Sequence, residues 1–204
     1  MTDFGLQSIR DSSEIVFVDT CVFDIEPFFS RQGDLSIGGR ELLQYVDELA
    51  EGFSHSFRIT PGVSEEIKGR GADKRVLGNG IPAGYKRRVK TAYEIALKKG
   101  TIQYTRDESR LMEDAAMYFK IFRQCVSPTD FEMLTASIAV AQRGPVSVLT
   151  NDFPLIDVFE SSFRYLNRGY LLYFDPVKNP VSVYSIFPEK HFKKQAGYRP
   201  RNCF

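Results

Sequence analysis

Residues 15–23 read IVFVDTCVF. Four successive apolar residues, three of them β-branched, run straight into an aspartate. A strand buried on one face only would alternate apolar with polar; this one reads as buried on both faces, the mark of a parallel sheet covered by helices. A second run of the same kind, VSVL at 146–149, leads into Thr150-Asn151-Asp152. Between the two lie a helical pattern opened by Gly38-Gly39, with Leu42, Leu43, Val46 and Leu49 at helix spacing, and a second strand at 57–60. Thr60-Pro61 then pairs an N-cap with proline at the first helical position. The helix it opens carries Val63, Glu65, Glu66 and Ile67. Further helices are expected at 85–99, at 108–125, from the cap Ser127-Pro128-Thr129-Asp130 onward and at 154–160, with a possible short strand at 101–105. Strands alternating with helices predict a three-layer α/β/α fold with a mostly parallel central sheet.

The domain organisation predicted is one body over residues 1–165, interrupted by a glycine-rich basic loop at about 69–84. A β-rich extension over 166–204 follows, with strands at 170–174 and 181–187 and a basic end. The extension reads either as a hairpin on a sheet edge or as a small appendage.

Composition narrows the chemistry. The 204 residues include only two histidines, His55 and His191, and three widely spaced cysteines, Cys21, Cys125 and Cys203. Histidine is the usual acid–base residue near neutral pH, so Ser-His-Asp and Cys-His mechanisms are poorly supplied. So is a zinc site, since no CxxC or HxxxH spacing occurs. An odd cysteine count suits a reducing compartment. With no leader-like N-terminus and no apolar run near the roughly 18 residues a membrane span needs, the expectation is a soluble cytoplasmic protein.

The formal charge is only +1, but it is segregated. Residues 68–110 hold 12 Lys and Arg against four Asp and Glu, and residues 188–204 hold five against one, so the remainder is strongly acidic. Lys86, Arg87, Arg88, Lys90, Lys98 and Lys99 are interleaved with Tyr85, Tyr93 and Tyr104, a pattern suited to a polyanion such as RNA. A solvated helix face would have the same composition.

Four acidic positions stand at strand ends or helix starts: Asp19, Asp152, Asp130, and Glu66 or its neighbour Glu65. In an open α/β sheet, ligands bind outside the carboxyl ends of the strands, where the topology reverses. Carboxylates gathered there repel one another and raise each other's pKa unless a cation relieves them. An all-oxygen donor set suits Mg²⁺ or Mn²⁺, and the chemistry implied is hydrolysis of a phosphodiester. Each acid alone also has a local structural use. Asp130 fits a capping box, Asp152 a helix cap, Asp19 an Asx-turn, and Glu65 and Glu66 favourable places in a helix dipole. Cys21 reads as a small buried hydrophobe, and Phe119, Phe122, Phe153 and Phe159 as core.

On the segments IVFVDTCVF (15–23), ITPGVSEEIK (59–68), SPTDFEMLTASIAVA (127–141) and VSVLTNDFPL (146–155), the chain resembles the PIN-domain family of metal-dependent ribonucleases. The order is the family's, and the resemblance covers roughly 13–165. It implies an endoribonuclease using Mg or Mn, with Asp19, Glu66, Asp130 and Asp152 as metal-binding acids. Glu66 is preferred to Glu65 because Val63 and Ile67 bracket it as in the family. Thr20, Asn151 and Thr150 become hydrogen-bonding support, and Asp157 a weaker fifth acid. Toxin-type members imply an antitoxin partner or a homodimer, although the basic insertion and the C-terminal extension make this chain longer than compact toxins. The alternative is a catalytically inactive RNA-binding or assembly module on the same fold. A dehalogenase-type phosphatase also starts with an apolar strand and Asp, but it needs a second Asp where this chain has Cys21.

Overall fold

A computed structural model describes residues 5–28, 38–72, 81–167, 178–186 and 192–198. Its frame is a five-stranded sheet of β1 (Ile15–Val18), β2 (Phe57–Arg58), β3 (Val146–Leu149), β4 (Val181–Ser185) and β5 (Lys193–Tyr198), in the order β2-β1-β3-β4-β5. Strands β2, β1, β3 and β4 are mutually parallel, and β5 is antiparallel to β4. All four residues of β1 and all four of β3 are buried, which requires cover on both faces of the sheet. The α/β class and the mostly parallel sheet are as the apolar runs predict, and the burial is compatible with three layers.

The helices among the described residues are α1 (Leu6–Asp11), α2 (Gly39–Gly52), α3 (Pro61–Ala72), α4 (Ala83–Ile95), α5 (Arg106–Tyr118), α6 (Pro128–Val140) and α7 (Phe153–Asn167). No described helix is long and apolar enough to cross a membrane. Helix α2 buries Leu42, Tyr45, Val46 and Leu49, while Leu43 stays half-exposed at its flank. Helix α4 runs on into one π turn, Ala96–Gly100.

Several local expectations change. The expected loop at 69–84 is shorter: α3 continues through Ala72 and α4 already begins at Ala83, while 73–80 lie outside the described residues. The strand expected at 101–105 is reduced to one parallel bridge between Ile59 and Thr101. Its partner β2 cannot lengthen, because Pro61 has no N–H to give and the Thr60 carbonyl accepts Ser64 N–H at 2.9 Å to begin α3.

Helix α5 starts earlier than expected, because Thr105 and Glu108 form a capping box. It also ends earlier, at Tyr118, with a 3-10 turn over Lys120–Phe122. Helix α7 is a turn or more longer than expected, reaching Asn167, because its buried stripe of Leu155, Phe159, Ser162, Phe163 and Leu166 continues at helix spacing.

Among the described residues beyond α7, β4 and β5 belong to the sheet. The boundary expected after 165 falls inside α7, which is the crossover joining β3 to its parallel neighbour β4. The strand expected at 170–174 lies outside the described residues. That expected at 181–187 is β4, and part of the basic end, read without structure, is β5.

Candidate functional site

The chain leaves β1 toward β2 on one side, and later returns to place β3 on the other side of β1. The carboxyl ends of β1 and β3 are therefore a switch point, where an open α/β sheet leaves a crevice. Asp19 sits there. Its N–H still donates to the Leu149 carbonyl at 3.0 Å, so its position is fixed by the sheet.

The Asp19 side chain is 5% exposed. One oxygen, Oδ1, accepts Thr20 N–H at 2.6 Å; the other accepts the Thr150 hydroxyl at 2.6 Å and the Cys21 thiol at 2.9 Å. Burial pushes this carboxyl above its ordinary pKa, the three donors oppose the rise, and the nearby Glu66 charge adds to it. Thr150, itself fully buried, uses the same hydroxyl to accept Asp152 N–H at 3.0 Å. Thr20 donates its hydroxyl to Glu66 Oε2 at 2.6 Å and so ties the end of β1 to α3.

The remaining acids reach this corner from helix starts. Asp130, half-buried in the first turn of α6, accepts Ser127 N–H at 3.2 Å and Ser127 Oγ–H at 2.7 Å through Oδ2. Burial raises its pKa, the hydrogen bonds from Ser127 oppose the rise, and the charges of Asp19 and Asp152 add to it. Asp152 caps α7, accepting Leu155 N–H through Oδ1 at 3.4 Å and Ile156 N–H through its carbonyl at 3.0 Å. Glu65 points elsewhere and pairs with Lys68 on the surface. Asp157 is exposed one turn into α7. Asn151 acts differently from the expected support. Its Oδ1 accepts Ile186 N–H at 3.0 Å and holds the end of β4, and its buried Nδ2 finds no partner among the described residues.

The donor chemistry of these acids fits a hard cation. Among the described residues no ion pair involves Asp19, Glu66, Asp130 or Asp152. Among the described residues, Glu66, Asp130 and Asp152 each accept hydrogen bonds at one side-chain oxygen only. As the side chains stand, no three His, Cys, Asp or Glu among the described residues form a group that could hold an ion. Shared coordination would need side-chain rotation at the helix starts.

The basic residues expected to meet RNA divide. Arg88 pairs with Asp47 of α2 at 2.8 Å, and Lys99 donates to Ser54 at 3.2 Å. Arg87, Lys90 and Lys98 are exposed, and Lys86 is half-buried. Tyr93 is buried against Phe23, with ring centroids 4.9 Å apart, so it packs α4 onto the 3-10 turn Thr20–Phe23 that follows Asp19.

Two residues take roles opposite to those expected. Cys21 lies inside the polar network: its sulfur accepts Asn151 N–H at 3.0 Å as well as donating to Asp19. Burial, followed by the Asp19 charge, pushes its thiol well up, so it stays protonated. Phe153, read as core, is 59% exposed beside Asp152. A third residue, Glu132 of α6, was not singled out; it accepts Gly62 N–H at 2.8 Å and joins α6 to the start of α3. The signal for Cys21 is its place two residues after the strand-end Asp19; nothing in the sequence points to Glu132.

Comparison of the chain with protein-family models and with curated protein sequences gives no match.

Proposed function

We propose that this chain is a divalent-metal-dependent endoribonuclease of PIN type, hydrolysing RNA phosphodiester bonds with Asp19, Glu66, Asp130 and Asp152. The observation that carries the reading is Asp19, buried at the switch point and hydrogen-bonded to Thr20, which also holds Glu66, and to Thr150, which also holds the Asp152 N–H, with no cation paired to these acids among the described residues. Carboxylates brought together at this cost usually have a cation to meet. Mg²⁺ or Mn²⁺, when bound, supplies a more acidic water and neutralises charge developing on a phosphoryl group. Asp19, held by three donors, is the rigid anchor. Glu66, Asp130 and Asp152 offer their unengaged oxygens to the ion or to the attacking water. Thr20 and Thr150 orient the acids, and the exposed cations of α4 hold the RNA backbone.

The test is cleavage of RNA with Mn²⁺, together with Mn²⁺ binding by calorimetry. Asp19→Asn is expected to reduce cleavage to background while the circular dichroism spectrum is retained. A protein that binds no Mn²⁺ and cuts no RNA overturns the enzyme reading.

One observation favours a second reading, an inactive RNA-binding or assembly module: Asp130 and Asp152 already serve in helix caps, and among the described residues no three acids are grouped to hold an ion. In that case RNA binding survives neutralisation of the acids and weakens when Arg87 and Lys90 are replaced by Gln. A toxin role with an antitoxin partner predicts growth arrest on expression, relieved by that partner.

A further inference from the structure

Helix α7 sends Leu155, Phe159, Ser162, Phe163 and Leu166 inward. At about 100° per residue, Phe153 falls on the opposite side from that stripe. Of the large hydrophobic side chains among the described residues, only Met117, Ile121 and Phe153 stand exposed, and Phe153 alone is aromatic. It directly follows Asp152, the acid that caps α7.

The first turn of α7 has little to offer an anion. Pro154 carries no N–H, and the Leu155 and Ile156 N–H groups are already taken by Asp152. What it presents is one flat apolar face. A single ring is far smaller than a protein-docking patch, but it matches one nucleobase, and stacking of a base on an aromatic side chain is worth about 1–3 kcal/mol.

We propose that Phe153 is a stacking platform for an unpaired base of single-stranded RNA held at the acidic corner. The inference rests on the nuclease reading and adds to it a requirement for unstacked bases at the site.

The chain contains no tryptophan, so Phe153→Trp places a lone indole at this position. The titration uses a single-stranded oligoribonucleotide with Mg²⁺, in an Asp19→Asn background to prevent turnover, or in Asp152→Asn should Asp19→Asn not fold. Quenching of the indole is expected with the oligonucleotide and not with an abasic oligomer of the same length. Phe153→Ala should weaken binding of the base-containing oligomer by about 5- to 100-fold and leave the abasic oligomer unaffected. Absence of quenching, or unchanged affinity in Phe153→Ala, overturns the platform. Failure of the two readings is distinguishable. Cleavage by the unaltered chain without quenching removes the platform and keeps the nuclease, whereas quenching without cleavage under any metal keeps the platform and removes the nuclease.

Discussion

Cys21 shows how closely the corner is wired. Its sulfur gives a hydrogen bond to Asp19 and takes one from Asn151 N–H, so one side chain joins the ends of β1 and β3. Removing it leaves a backbone N–H without its acceptor and the buried carboxylate with one donor fewer. Cys21→Ala should therefore cost about 1–3 kcal/mol in urea unfolding, and Cys21→Ser, which can donate and accept, should recover most of it. Asp130 makes a prediction about pH. Its folded pKa lies above its ordinary 3.8, chiefly through burial and then through Asp19 and Asp152. The folded state thus holds a proton that the unfolded chain has released. Unfolding loses that proton, so stability falls as pH rises from about 4 through the raised pKa and levels off beyond it. Asp130→Asn cannot titrate, so the drop in urea midpoint between pH 4.5 and 7 should be smaller than in the unaltered chain. An equal or larger drop would show that Asp130 carries no such penalty.

At the scale of elements, the corner rests on a layer of rings. Phe53 stacks on Phe23 with centroids 5.9 Å apart and meets Phe57 edge-on at 5.9 Å, and Tyr93 closes on Phe23. Two glycines at helix ends admit this layer. A Cβ on Gly52 would lie 2.3 Å from Phe57, and one on Gly100 would lie 2.4 Å from Phe53. Both rings are buried and cannot swing clear, so Gly52→Ala and Gly100→Ala should each cost about 1–3 kcal/mol through overpacking. Gly69, helical with nothing within 4 Å, is the control; Gly69→Ala should stabilise by about 1 kcal/mol. Denaturant midpoints decide all three. The same contrast explains what could be read in advance. Strands β1 and β3 are legible because burial on both faces makes them apolar throughout but for Ser147, whose hydroxyl pairs with that of Ser13, and Thr60-Pro61 and Ser127-Pro128 announce α3 and α6 by local hydrogen-bonding needs alone. The meeting of Asp19 with Thr150 and of Thr20 with Glu66 follows from strand order, and the apolar runs do not carry that. Phe153 reads as core by residue type alone; only the inward face of α7, set by its packing, places it outside.

For the molecule as a whole, the open question from the sequence was whether the C-terminal segment is an appendage. Strand β4 alternates, with Val181, Val183 and Ser185 buried and Ser182 and Tyr184 partly exposed, which is how a strand on an ordinary half-covered edge also reads. Its place is set by partners far away in sequence. It lies parallel to β3, with Val183 opposite Val148, and Asn151 holds its end through Ile186 N–H. The residue that follows β3 into the acidic corner thus also fastens β4, and the sheet cannot lose β4 without exposing one side of β3. Val183→Asp, which puts a charge at a fully buried position, discriminates the two cases. If β4 were an appendage, the substitution would melt only the C-terminal segment and leave a separate, unchanged main transition. Because β3, β4 and α7 form one crossover unit of a single sheet, unfolding should remain one transition at a lower midpoint, with stability reduced by roughly several kcal/mol as an unpaired buried charge dictates. Amide exchange should also speed up in β1 and β3 together with β4. Protection of Val16–Val18 that stays at its unaltered level while β4 exchanges freely would separate the C-terminal strands from the fold that positions Asp19.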